Sequence, residues 1–192
     1  MLLPKALCNM GTIPPICDFG QKAPDFSLPE PGKGSLTLAD VKGENGTLVM
    51  FICNHCPYVL AVLDRIIRDA RAVQDLGIGV VAISANDVRS HPEDAPDKMA
   101  ELAHEMRFPF PYLYDESQAV ARAYGAVCTP DFFGYNAAGE LQYRGRLDAS
   151  RKNAGPADLQ RELYAALKLI AETGTGPDKQ TPSMGCSIKW KA

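Results

Sequence analysis

Cys53-Asn54-His55-Cys56-Pro57 sets two thiols three positions apart with an imidazole between them. That spacing suits thiol–disulfide exchange, in which a thiolate attacks a partner sulfur and a second thiol nearby releases the mixed disulfide. The surrounding pattern shows how the pair is positioned. An apolar run, Thr47 to Ile52, ends at the motif, and beyond it Val59, Val62, Leu63, Ile66, Ile67 and Ala70 recur at helical spacing. Pro57 fits the first turn of that helix, where its missing N–H has no partner to lose. Unpaired N–H groups and the positive helix end favour a thiolate there. Cys53 is therefore expected to be the attacking sulfur, one turn outward, and Cys56, inside the first turn, the resolving one. His55 is expected to place positive charge beside the Cys53 sulfur, which makes the disulfide form more oxidising.

The elements that carry this motif alternate strand and helix. Residues 47–53 read as a strand covered on both faces, 57–72 as a helix, and Ile78 to Ser84 as a second buried strand, which makes a βαβ unit. Met99, Leu102, Ala103 and Met106 give the next helix one apolar face, and Phe108-Pro-Phe-Pro111 ends it. Tyr112 to Tyr114 is a short strand, and Asp115 caps a helix through Val120, Ala121 and Tyr124 that closes at Gly125. Asp131 to Tyr135 and Glu140 to Arg146 form an antiparallel hairpin. Pro156 opens a last helix bearing Leu159, Leu163, Leu167 and Ile170. The division expected is an N-terminal arm over 1–22, one domain over 23–173 and a polar C-terminal tail over 174–192. A short hairpin is expected around Asp25 to Leu28, while Leu36 to Val41 fits either a strand or a turn of helix.

Composition removes several function classes. The chain has 192 residues, 46% of them hydrophobic, enough for a sizeable single core. Its net charge is −3 with Lys and Arg scattered, so no basic stripe points to nucleic acid or an anionic membrane. Pro4 and Lys5 interrupt the apolarity of the first residues, which do not read as a signal peptide. No run approaches the roughly 20 apolar residues of a membrane span. The expected location is the cytoplasm, and there six cysteines read as reduced or cycling thiols rather than as a disulfide scaffold.

Other residues could join the chemistry. Thr129-Pro130 lies between a helix and a hairpin, and in the CxxC context a cis bond is expected there, exposing a short backbone edge that can pair with an extended substrate. Cys128, two residues before Pro130, is either a third redox thiol or a small buried residue. Cys186 lies in a tail that Ile188 and Trp190 could anchor near the site, and it is the other candidate for a further redox thiol. Cys8 and Cys17 are a candidate pair of their own. A different class of function would gather Cys53, Cys56, Cys128 and Cys186 into a four-thiolate metal site.

Taken together, Ala23-Pro-Asp-Phe26, Phe51-Ile-Cys-Asn-His-Cys-Pro57, Val80 to Ser84, Tyr114-Asp115, Tyr124-Gly125, Thr129-Pro130 and Arg144-Gly145 resemble a thioredoxin-fold redoxin of the peroxiredoxin-like, alkyl hydroperoxide reductase/thiol-specific antioxidant group. The resemblance covers roughly residues 20–172. It implies an α/β fold, a central mixed sheet with flanking helices, in which Cys53 matches the exposed attacking cysteine, Cys56 the resolving one and Pro130 the cis proline. A peroxiredoxin carries Pro, three residues, Thr or Ser, two residues, then its peroxide-reactive Cys. Only Cys56 aligns with that cysteine, with Cys53 at the hydroxyl position and Val49 at the proline. Arg144 or Arg146 is then left as a thiolate stabiliser of another kind. The expected activity is thiol–disulfide oxidoreduction through Cys53 and Cys56, with a disulfide-containing substrate, an external thiol reductant and no bound cofactor. Thiol peroxidase activity is the alternative.

Overall fold

The computed structural model describes residues 19–153, 155, 156 and 158–192. Cys8 and Cys17, and most of the expected arm, lie outside them. A small antiparallel ribbon comes first, β1 (Ser27–Pro29) against β2 (Ser35–Thr37), which realises the hairpin expected near residue 28. The ambiguous segment splits: Thr37 ends β2 and caps helix α1 (Leu38–Val41), its hydroxyl and Asp40 forming a reciprocal capping box.

The central sheet has five strands in the order β5-β4-β3-β7-β8. β3 (Gly46–Phe51) leads through helices α2 (Pro57–Leu60) and α3 (Leu63–Gln74) to the parallel strand β4 (Ile78–Ser84). Helix α4 (Pro96–Glu105) precedes β5 (Tyr112–Tyr114), parallel to β4. After α5 (Ala119–Ala123) and the two-residue strand β6 (Cys128–Thr129), the hairpin β7 (Asp131–Asn136) and β8 (Leu141–Gly145) adds antiparallel to the other side of β3. Helix α6 (Glu162–Thr173) and strand β9 (Cys186–Ser187) complete the order, β9 pairing with β6.

Alternation along β3 divides the apolar residues into two cores. Leu48 and Met50 face α3 and α6 together with Ile66, Val73, Leu163 and Leu167. Val49 and Phe51 face the other layer, with Ala121, Tyr124, Phe133 and Ile188. Every β3 residue is buried, as expected for a strand covered on both faces. Beside it Gly79 permits close backbone approach, since a Cβ there would collide with the Val41 carbonyl and the Gly43 N–H.

Three expectations change. The helix expected over 57–72 is broken: Val62 has φ −123° and ψ 4°, and its N–H bonds to the Val59 carbonyl. The periodicity misses this break because Val59, Val62 and Leu63 keep one apolar face on both sides of it. The last helix starts at Glu162, not Pro156, leaving Leu159 upstream. Arg161 stands before it with ψ 76°, its guanidinium held 2.8 Å from the buried Asp69. The tail is also more than a polar extension, because Ser183, Cys186 and Ile188 are buried against the domain. Among the described residues no helix is long and apolar enough to cross a membrane.

Candidate active site

Strand β3 ends beneath the site, and Cys53 follows it in the loop that leads to α2. Cys56 is the N-cap of α2, and its carbonyl accepts the Val59 and Leu60 N–H groups. The helix end therefore acts on Cys56, while Cys53 lies three residues upstream. The two sulfurs share a hydrogen bond, and Cys53 also lies 3.3 Å from the Thr129 hydroxyl. In the dithiol the Cys56 thiol donates to the Thr129 carbonyl at 3.1 Å.

Within the pair the Cys56 thiol is lowered and the Cys53 thiol raised. Hydrogen bonds from the Cys53 thiol, the Cys186 side chain, Thr129 and the Cys186 backbone N–H hold Cys56 well below the ordinary thiol range, against the opposing effect of burial. Cys53 is pushed up by the same hydrogen bond with Cys56, by burial and by the negative charge of Asp94. Position 53 is also not exposed: Cys53 is 1% and Cys56 0% accessible.

His55 owes its state to a residue the sequence did not single out. Its Nδ1 lies 2.7 Å from the Asp94 carboxylate, and this bond raises the imidazole above its usual value against partial burial. Asp94 also accepts the Asn54 N–H at 2.7 Å, the His55 N–H at 3.3 Å and the Asn86 side-chain amide at 2.8 Å. Burial alone would push this carboxyl up, but the His55 and Asn86 hydrogen bonds hold it below its usual range. His91 stacks on His55 at 4.8 Å and is itself lowered, by burial and by the His55 charge. Tyr112, fully buried, donates to the Asn54 side chain at 3.1 Å. Asp94 lies in the polar segment 86–96 that follows β4, where no periodicity marks one acid above another. The general signal was the segment's place at the carboxyl end of a parallel strand.

The remaining expected residues fall as follows. Pro57 opens α2 at its first position. The Thr129–Pro130 peptide is cis, as expected from the motif context. Cys128 is buried and donates weakly to the Pro130 carbonyl at 3.8 Å; burial pushes its thiol up, which keeps it protonated. Cys186 sits opposite Thr129 in the β6–β9 pairing. Arg144 and Arg146 do not serve a thiolate. Arg144 binds the buried Asp131 at 3.0 Å and the Gly125 carbonyl at 2.7 Å, and Arg146 binds Glu162 at 2.6 Å. Among the described residues, the cluster with metal-ligand spacing is Cys53, His55 and Asp94, whose ligand atoms lie within 4.8 Å of one another. This is not the four-thiolate set the alternative required, and it is one ligand short of a closed structural zinc site.

The sheet order, the dithiol at the strand-to-helix junction and the cis proline beside it define a thioredoxin-fold redox protein. The chain belongs to the AhpC/TSA family, whose signature matches residues 19–144. It is similar to an uncharacterized conserved protein from Geobacillus kaustophilus at 42% identity, covering 100% of this chain and 98% of that one, with a TM-score of 0.88. A hypothetical protein from Sinorhizobium meliloti is 38% identical over 94% of this chain and 99% of its own, with a TM-score of 0.89. A thiol:disulfide interchange protein from a Bacteroides species shares the fold at 18% identity, over 81% of this chain and 91% of its own, with a TM-score of 0.60. No curated protein sequence matches the chain.

Proposed function

We propose that the protein is a thiol–disulfide oxidoreductase working through Cys53 and Cys56 on protein or small-molecule disulfides, with an external thiol reductant restoring the dithiol. The observation that carries this reading is the pair of thiols gathered at the cis Thr129–Pro130 peptide, with Cys56 at the N-cap of α2 and against the Thr129 carbonyl and Cys53 against the Thr129 hydroxyl. The thiolate is the nucleophile in exchange, so within the pair Cys56 attacks first and Cys53 closes the ring. His55, whose imidazole is raised above its usual value first by the Asp94 hydrogen bond, lies beside the pair and favours negative charge there when protonated. Such a cycle suits the cytoplasm, where thiol reductants are abundant.

The test is reduction of a chromogenic aromatic disulfide by full-length wild type, Cys53→Ser and Cys56→Ser under a constant supply of dithiol. Turnover is expected to vanish in Cys56→Ser, while Cys53→Ser stalls without forming the Cys53–Cys56 disulfide. Full turnover by both variants refutes the proposal. Hydrogen peroxide as oxidant is the second reading. It is favoured by the thiolate at Cys56, the cysteine that aligns with the peroxide-reactive position of peroxiredoxins. Oxidation of Cys56 by peroxide far faster than that of free cysteine supports it.

A further inference from the structure

The buried pair presents a difficulty for any exchange with an external disulfide, since neither cysteine is exposed. The tail that pairs with β6 beside the site also brings in a third thiol. Strand β9 lies antiparallel to β6, with Thr129 opposite Cys186 and Cys128 opposite Ser187. An extended peptide adding itself to an open strand edge would pair in this way, so the chain's own terminus occupies the position of a bound substrate. Gly185 lets it come close, because a Cβ there would run into the Thr129 carbonyl.

The strap is fixed on both sides of Cys186. Upstream, the Arg146 N–H bonds the Thr181 carbonyl at 2.8 Å and the Ser183 hydroxyl bonds the Gly145 carbonyl at 2.8 Å. Downstream, the Ile188 N–H bonds the Val127 carbonyl at 3.0 Å and the Asp87 N–H bonds the Lys189 carbonyl at 2.8 Å. Gln118 is buried, with a left-handed φ of 63°, and its side chain holds the Lys189 carbonyl at 2.9 Å and the Lys191 N–H at 2.8 Å. Arg122 stacks on Trp190 at 4.3 Å. Within this frame Cys186 packs into the same buried cluster as Cys53 and Cys56, opposite the Thr129 whose carbonyl the Cys56 sulfur meets at 3.1 Å. Cys186 is also the most accessible of the four described thiols, at 9% against 0 or 1% for the others.

We infer that Cys186 is the outer sulfur of a three-thiol relay, passing oxidising equivalents from an external disulfide through Cys56 to Cys53. This rests on the oxidoreductase reading above. An external disulfide is attacked by Cys186, forming a mixed disulfide and releasing its first half as a thiol that takes the Cys186 proton. The Cys56 thiolate then attacks Cys186, forming the Cys56–Cys186 bond and releasing the second half as a thiolate. Cys53 next attacks Cys56, its proton passing to the departing Cys186 sulfur. The centre ends as a Cys53–Cys56 disulfide with Cys186 again a thiol: one external disulfide has been reduced to two thiol groups and one pair of protein thiols oxidised.

The test uses the full chain with Cys8 and Cys17 replaced by Ser and oxidised glutathione as the probe, read by differential alkylation and peptide mass mapping. In the Cys53→Ser variant the relay must stop at its intermediate, giving a Cys56–Cys186 disulfide and a protein two hydrogens lighter. Glutathione retained on Cys56 with Cys186 still open to alkylation overturns the proposal. In Cys186→Ser, whose fold is checked by circular dichroism, formation of the Cys53–Cys56 disulfide is expected to slow by an order of magnitude or more. An unchanged rate there overturns the relay and leaves the oxidoreductase reading intact. If neither wild type nor Cys186→Ser ever forms the Cys53–Cys56 disulfide, the pair is inert and both readings fall.

Discussion

Replacing Asp94 with Asn keeps the shape of the side chain and removes the charge that organises the loop around the cysteines. The amide oxygen can still accept the Asn54 and His55 backbone N–H groups. Its nitrogen then faces the Asn86 amide, donor against donor, and the His55 Nδ1 loses a charge-assisted partner. Losing that bond is worth roughly 1.5–3 kcal/mol and stranding the Asn86 donor roughly 1–3 kcal/mol, so a net destabilisation of about 3 kcal/mol is expected near pH 6. The pH dependence is more diagnostic than the size. In wild type the His55 value is raised above its ordinary 6.5, first by the Asp94 bond. The stability it contributes is therefore fully present below pH 6.5 and is lost as pH rises through the elevated value. Without Asp94, burial acts to lower His55, and its contribution then grows as pH rises from that lowered value to 6.5 and is flat above it. The difference between wild type and variant cancels background from Asp131, whose own carboxyl burial pushes up to about 6. Urea unfolding at pH 6 and pH 8, with the His55 ring followed by NMR, reads both effects. A variant within about 0.5 kcal/mol of wild type, the range of a neutral surface change, with His55 titrating as before, refutes the account.

Two further outcomes follow from the packing. Arg144→Met strands the buried Asp131 carboxylate and should cost about 3–5 kcal/mol in urea unfolding, as when one partner of a buried pair is removed; adding Asp131→Asn should recover part of it. Gly185→Ala should lift the strap from the Thr129 carbonyl and speed alkylation of Cys56 in the reduced protein, and an unchanged alkylation rate would show that the strap does not limit access.

The sheet and its two cores were legible because β3, β4 and the face of α3 are written in uninterrupted apolar patterns that local physics reads directly. Pro57 and the CxxC spacing likewise marked the site. The different surroundings of the two sulfurs were not legible. They depend on donors from Thr129 and Cys186, more than 70 residues away in sequence, and on where the helix starts to within a single turn. Asp94 escaped for a related reason: one acid among polar residues gains its role only when β4 carries its segment beside the cysteine loop. The anchoring of the tail was legible in Ile188 and Trp190, which pack on the domain, but its strand register was not, because backbone pairing leaves little trace in residue type.

The interruption at Val62 separates the turn holding Cys56 from the long ladder of α3. Closing a sulfur–sulfur bond draws two side chains together, and a rigid rod running into the core would carry that movement to Ile66 and Val73. With the rod cut after its first turn, four residues can absorb the shift alone. The protein can thus alternate between oxidation states while the interior it depends on for stability stays still.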